Sequence, residues 1–577
     1  MNKACRLTRL DRWLLCLIAI VYSLFALHDL GVRTAPETPM TLTPDCGYCL
    51  IFPTDVSPYA MCWFDGPQPD PRQDPAVTVL YSTLDDPQNY FHQQDISFGK
   101  VFTWQSTSLN QWDMQGGQLV ITLLLDREVP VMELVFVDKD GNRLLPENSS
   151  LFPGLFDEQD TLPRWLGFRN GMYFDEIYHA RSAYEMLHGL YCYENTHPPL
   201  GKLLIGVGIL IFGMNPFGWR IVGTLLGIAM LPLMYVFCKR MTRSTPLSAL
   251  GCWLLAFDFM HFVQTRIATI DVYITFFVIA MYLFMYEYVF LTANDKRLKT
   301  AARPLLLCGV SMGLGIACKW TGVYAGVGLA VIFFASLLSQ RRNWESAADY
   351  RRRAWRTIGL CVVFFVVIPA VIYCLSYIPF EDGSSHSTLR KMLDNQRDMF
   401  AYHIGEISDH RFASRWYEWP IMKKPIWYFA DIITGSEGNG GLRQNISAFG
   451  NPAVWWLGIP AAIYMLWRAL RRKDPTAAFL LVGYCAQFLP WSLISRTTFI
   501  YHYFPSVPFV VLMLVHSLSC LRQKLSPRAL TAVCLGYGAL VFGLFLLFYP
   551  VLSGQSVEAS FITEHLRWLD SWVLTLE

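Results

Sequence analysis

The chain has 577 residues, 53% of them hydrophobic and 16% charged, with a formal net charge of +2 and a mean hydropathy of +0.30. Soluble domains carry charge on about a quarter of their residues, so an ordinary water-soluble globule is excluded. The positive residues are dispersed among loops and form no single patch able to follow a nucleic-acid backbone, which sets nucleic-acid binding aside.

Apolar runs close to the ~20 residues that cross a bilayer recur along most of the chain. Backbone in lipid must satisfy its own hydrogen bonds, so the expected fold is a polytopic α-helical membrane protein. The first run, 13–30, follows Lys3, Arg6, Arg9 and Arg12, which keeps the N-terminus cytoplasmic. Its length and the lack of a small-x-small cleavage site favour an uncleaved anchor over a signal peptide. Residues 31–165 then lie outside, where QLVITLLL, VMELVFVD and the Asp140-Gly141 turn predict a small β-rich insertion. Cys46, Cys49, Cys62 and Cys192 fall on that side, where one or two disulfides would be compatible; no second CxxC or His pair completes Cys46-x-x-Cys49, so no metal is expected.

Residues 166–216 form a first-loop segment in which 175–190 and 199–213 are helical in period but too short or interrupted to span, as for helices on the membrane surface. Apolar runs at 217–238, 246–263, 270–292, 304–318, 321–338 and 356–378 follow, giving spans two to seven within 217–378. A second long extracytoplasmic loop occupies 379–451. Runs at 452–468, 476–491, 502–520 and 529–551 complete about eleven spans, and 452–577 ends with an extracytoplasmic C-terminus. Alternate loops carry the basic residues: KRLK at 296–299, RR and RRR within 341–353, RALRRK at 468–473, and Arg522, Lys524 and Arg528.

The sharpest chemical cluster is GMYFDEIYHARSAYE at 171–185. Adjacent acids at a helix start suit the macrodipole, which is a sufficient structural reason for them. The functional alternative is a carboxylate serving as general base on an incoming hydroxyl, its neighbour holding geometry; adjacent helical residues diverge, so Asp175 and Glu176 should not share one task. His197 and Lys202 bracket the Pro-Pro helix start in ENTHPPLGK, and Arg266 and Asp271 in TRIATID lie at the outer ends of adjoining spans as a candidate ion pair. Lys319 in ACKWTGVY and Arg496 in QFLPWSLISRTTFIYHYFP, the segment that also holds His502, stand among Trp320, Trp491, Tyr501 and Tyr503. Such cations suit a lipid-phosphate headgroup, although snorkelling cations in an aromatic belt give the same pattern.

Taken in order, FDE at 174–176, THPPLGK at 196–202, RIATID at 266–271, CKWTGVY at 318–324, QRDMFAYHIGEISDHRFASRWYEWP at 396–420, FGNPAVWW at 449–456 and LPWSLISRTTFIYHYFPSVPF at 489–509 resemble the protein O-mannosyltransferases of the GT-C class. The resemblance covers roughly residues 166–515. It implies inverting transfer of mannose from a polyprenyl or dolichyl phosphate to Ser or Thr hydroxyls of secreted or membrane proteins, with no required metal or other cofactor. It further implies Asp175 as base, Glu176 as its positioning partner, and Arg220, Lys319 and Arg496 at the lipid phosphate, with His197, Lys202, Arg266, Asp271 and His502 also substrate-binding. Dimerisation and a bacterial plasma-membrane location are expected by the same analogy. Two departures stand out: 379–451 leaves no room for the MIR domain of eukaryotic members, and the β-rich insertion is extra. A sibling enzyme that moves another sugar, or modifies lipid or cell-wall polymer, is the nearest rival; a non-catalytic carrier-lipid transporter is the rival from another class.

Overall fold

Helices with Pro or a capping residue at their starts and apolar bodies dominate the computed structural model, which describes residues 6–54, 56–67, 75–109, 118–293, 295, 297–405, 409–433 and 441–576. Residues 406–408 of the later-loop motif and 296 of the KRLK loop lie outside the described residues. Among them, ten helices are long and apolar enough to cross a membrane: Arg9–Leu27, Pro216–Thr242, Asp271–Thr292, Leu298–Cys318, Gly322–Asn343, Ala347–Ser376, Pro452–Arg471, Pro475–Leu493, Ile500–Leu521 and Pro527–Ser553. The pair Thr245–Ala256 and Phe259–Thr265, bent by 57°, makes an eleventh if counted as one span, in keeping with the sequence.

The bend has a local cause. Asp258 is a fully buried N-cap whose carboxylate accepts from the amides of Met260 (3.1 Å) and His261 (3.3 Å). It also accepts from the Asn451 amide (3.1 Å) and Trp455 Nε1 (3.0 Å). An aspartate inside an apolar run thus starts a new helix instead of interrupting one.

The chain divides into two compact units. One comprises Met1–His28, Asn195–Leu204 and Ile221–Glu577. Within it, Lys239 pairs with buried Asp11 at 2.9 Å, tying the start of the first span to the end of the second. The second long loop contains the Thr388–Gly405 helix and a hairpin of Ile426–Ile432 with Leu442–Ala448. Val557–Glu558 adds to that hairpin beside Leu442 and Arg443, and buried Trp572 donates to the Met422 carbonyl at 2.6 Å. The C-terminal tail and this loop therefore share one side of the helices.

The other unit comprises Asp29–Glu194 and Ile205–Arg220. Its strands are β1 (Met40–Leu42), β2 (Tyr48–Ile51), β3 (Ala60–Asp65), β4 (Ala76–Thr83), β5 (His92–Ser97), β6 (Trp104–Ser108), β7 (Leu119–Leu125), β8 (Val129–Val137) and β9 (Arg143–Leu144). They form two antiparallel sheets, ordered β1-β8-β3-β6 with β9 on β8, and β2-β7-β4-β5. Alternate residues such as Leu50, Val79, Tyr81, Ile121, Leu123, Leu134 and Phe136 meet in one buried cluster, so the insertion is a β-sandwich. The β8–β9 turn closes where Asp138 accepts from the amides of Asp140 and Asn142, both at 2.8 Å, with Gly141 at φ +81°. The opposite face of the β3-β6-β8 sheet is buried too: Cys62, Phe64, Phe102, Trp104, Met132 and Val135 form a second cluster, against which Met172, Tyr184 and Met214 pack. Cys46, Cys49, Cys62 and Cys192 are free thiols, and burial pushes that of Cys62 up to about 11.

Candidate active site

Asp175 stands at the N-cap of the Glu176–Leu187 helix. An aspartate at that position ordinarily accepts from the second or third helical amide. Here the partly exposed carboxylate makes no capping hydrogen bond. Phe174 directly before it has φ +50°, a left-handed conformation that costs a non-glycine residue about 1–3 kcal/mol and persists only when the surroundings enforce it.

Glu176 is part of what enforces it. Its carboxylate, fully buried, accepts from the Tyr173 amide at 3.2 Å and pairs bidentately with Arg220, Nε to Oε1 at 2.7 Å and Nη2 to Oε2 at 2.6 Å. Arg220, 1% exposed, also donates to the carbonyls of Leu30 (2.9 Å) and Gly171 (2.8 Å) and lies over the Tyr173 ring at 4.8 Å. The resemblance assigned Arg220 to a lipid phosphate. The structure instead walls it in as the anchor of the Gly171–Glu176 segment, because a rigid guanidinium fork matches one carboxylate and two carbonyls at once.

Further polar ties hold the helix. Arg181 pairs with Glu185 at 2.8 Å, one turn apart, and Glu185 accepts from the Tyr193 amide at 2.7 Å and Ser182 Oγ at 3.0 Å. The i,i+4 spacing of Arg181 and Glu185 is the sequence signal for this pair, which lies outside the candidate residues named from the sequence.

In the other unit, Lys319 Nζ lies 2.8 and 3.0 Å from the two Asp271 oxygens, both residues being 6% exposed. Asp271 opens its helix, where the macrodipole favours an anion, and Lys319 follows directly on the Leu298–Cys318 helix. Asp271 was expected to pair with Arg266. Arg266 instead donates to the His28 carbonyl at 2.6 Å and sits over Phe262.

Arg496 is partly exposed and makes no ion pair or hydrogen bond among the described residues. Its charge reaches His403, on the Thr388–Gly405 helix, whose pKa is pushed down to about 3 by burial and then by neighbouring His197, Arg496 and Lys319. The His197 and His403 rings are 5.5 Å apart, His197 Nδ1 is 3.0 Å from Thr196 Oγ1, and fully buried Lys202 donates to the His197 carbonyl at 3.1 Å. His502 is buried edge-on to Trp491, its ring 4.4 Å away. With Asp271, Lys319, Tyr324 and Gln487 these two line a small cavity, in which the buried Gln487 Nε2 has no hydrogen-bond partner among the described residues. His403 and Gln487 lay outside the residues singled out by the sequence. Lys319 pairs with Asp271, and the charges of Lys319 and Arg496 both reach His403, an arrangement that suits an added phosphate.

Residues 209–380 match the family described as dolichyl-phosphate-mannose-protein mannosyltransferase, and residues 388–572 the C-terminal four TMM region of protein-O-mannosyltransferase. Both matches begin beyond the β-sandwich and Asp175. The polyprenol-phosphate-mannose–protein mannosyltransferase of Mycobacterium tuberculosis is 29% identical over 459 residues, covering 69% of this chain and 86% of that protein. The Corynebacterium glutamicum protein of the same name is 27% identical, covering 65% and 81%. The Saccharomyces cerevisiae protein O-mannosyltransferase Pmt1-Pmt2 complex, bound to its sugar donor, shares the fold with a TM-score of 0.60 at 13% identity, over 70% of this chain and 89% of that one. Family regions matched over 209–380 and 388–572, relatives aligned over about two thirds of the chain and a common GT-C fold identify it as a membrane glycosyltransferase of the protein O-mannosyltransferase family.

Proposed function

We propose that this enzyme transfers mannose from a polyprenyl-phosphate carrier to Ser or Thr hydroxyls of exported polypeptides at the outer face of a bacterial plasma membrane. The hydroxyl oxygen attacks the sugar's anomeric carbon from the side opposite the phosphate. The bond from that carbon to the phosphate oxygen breaks, the anomeric configuration inverts, and the hydroxyl proton passes to Asp175. Lys319 and Arg496 take up the charge that grows on the leaving phosphate, with His197, Lys202 and His502 lining the donor, and fixed cations make a resident metal unnecessary.

The observation that carries this reading is the unequal state of the cations. Arg220 is fully engaged with Glu176, Gly171 and Leu30, whereas Arg496 has no counter-ion among the described residues and its charge, like that of Lys319, reaches His403. Self-association, carried over from the family, belongs to the same proposal and is read from the mass of the solubilised protein by light scattering.

The test is transfer from synthetic polyprenyl-phosphate-mannose to Ser/Thr-rich peptides with EDTA present, by wild type and Asp175→Asn. Wild type should give an alkali-labile mannosyl peptide, while the variant binds donor and loses about 10²- to 10⁴-fold in kcat. Transfer of a different sugar, or to a lipid acceptor, would favour the sibling enzyme. Donor binding without transfer to any acceptor would favour the carrier reading.

A further inference from the structure

We infer that Phe102 and Thr103, on the β-sandwich, are positioning residues for the Asp175 segment, which makes the insertion a working part of the transferase. The inference rests on the reading of Asp175 as proton acceptor.

Three contacts carry it, all within one unit. Thr103 Oγ1 accepts from the Met172 amide at 3.2 Å. A Cβ added to Gly171 would stand 3.0 Å from Thr103 Cγ2, so the two backbones approach as closely as a glycine permits. The Phe102 ring, fully buried, meets the Tyr184 ring at 4.9 Å on the helix that Asp175 caps.

Phe102 is itself set by the sandwich. Its backbone is left-handed at φ +54°, and its amide donates to the Asp65 carbonyl at 2.8 Å, next to the bridge between Asp65 and Val101. The Asp65 carboxylate accepts from Gln105 Nε2 at 2.9 Å. The segment that receives these contacts is left-handed at Phe174 and is also held by Arg220, which donates to the Gly171 carbonyl. Left-handed backbone at Phe102 and at Phe174, on the two segments that Thr103 joins, indicates a conformation held from outside the catalytic helix. A transferase whose proton acceptor sits on such a segment depends on the sandwich for near-attack geometry more than for donor affinity.

The test uses the full-length protein. Gly171→Ala drives a methyl group against Thr103 Cγ2 and should lower kcat about tenfold while donor KM stays within about twofold. Thr103→Ser keeps the hydroxyl and removes the opposing methyl, so in the double variant kcat should return to within about threefold of wild type. Thr103→Val removes the acceptor of the Met172 amide, whose hydrogen exchange should accelerate. An unchanged kcat in Gly171→Ala, a double variant as slow as Gly171→Ala, or unaltered Met172 exchange in Thr103→Val would each overturn the inference. If Asp175→Asn transfers as fast as wild type, it is the base assignment that fails. In that case the Gly171–Thr103 coupling is still decided by amide exchange across 171–176, which a positioning contact must restore in the double variant.

Discussion

The two units each bury a cation against a carboxylate, and the two pairs are built differently. Arg220 and Glu176 form a closed set: the guanidinium meets both carboxylate oxygens and two carbonyls, at 1% and 0% exposure. Lys319 and Asp271 form an open one: among the described residues Arg496 makes no ion pair, the Gln487 amide nitrogen in the adjoining cavity has no hydrogen-bond partner, and the charges of Arg496 and Lys319 help hold His403 neutral. A closed pair can only hold structure, since a ligand anion would have to displace a partner already in ideal geometry. An open pair retains charge to offer, and desolvated cations bind an arriving phosphate strongly.

The largest effect should come from breaking the closed pair. Glu176→Gln leaves Arg220 as a buried charge without its carboxylate and should destabilise the protein by about 3–5 kcal/mol, seen as a drop in thermal unfolding temperature in detergent. The adjacent Asp175→Asn should unfold at the wild-type temperature and fail in catalysis alone. If both variants lose stability equally, the division of labour between the two acids is wrong. Next in size is the open set. Arg496→Met should weaken binding of polyprenyl phosphate about 10- to 100-fold without lowering the unfolding temperature, as expected when one charged hydrogen bond to the ligand is lost. Lys319→Met should reduce both, because Asp271 is then left buried and alone. Equal stability losses in the two variants would mean that Arg496 is structural after all.

The spans were legible because lipid imposes length and apolarity on every crossing helix, and eleven runs survive as eleven candidates when the bent pair is counted once. The bend itself was hidden, since a single Asp258 in an apolar run reads as an interruption until Asn451 and Trp455 are seen to satisfy it from elsewhere. The insertion read as β-rich from its alternating strands, but its contacts with Met172 and Tyr184 depend on tertiary placement that no local pattern encodes. Among the charged residues, the ion-pair partners could not be read from sequence order. Asp271 lies five residues from Arg266 and binds Lys319, 48 positions away. Arg220 joins Glu176 across 44 positions, which a list of cations near span ends cannot distinguish from a ligand contact.

The smallest effect sharpens the open set further. His403 is neutral near pH 7 in the free protein, because burial, His197 and the charges of Arg496 and Lys319 push its pKa down to about 3 against a hydrogen bond with the Thr196 backbone. A bound phosphodiester brings a permanent negative charge that favours the imidazolium form, so the pKa of His403 rises in the complex. Binding is then linked to proton uptake: affinity for polyprenyl-phosphate-mannose should be flat above the raised value and increase as pH falls through it, by at most about tenfold per pH unit for one proton. The phosphodiester does not titrate in this range, so the slope belongs to the protein. In His403→Gln the pH dependence should flatten while affinity near pH 8, where the histidine is neutral in both states, stays close to wild type. An equal slope in the variant would remove His403 from the phosphate's surroundings and leave Lys319 and Arg496 as the groups that decide donor binding.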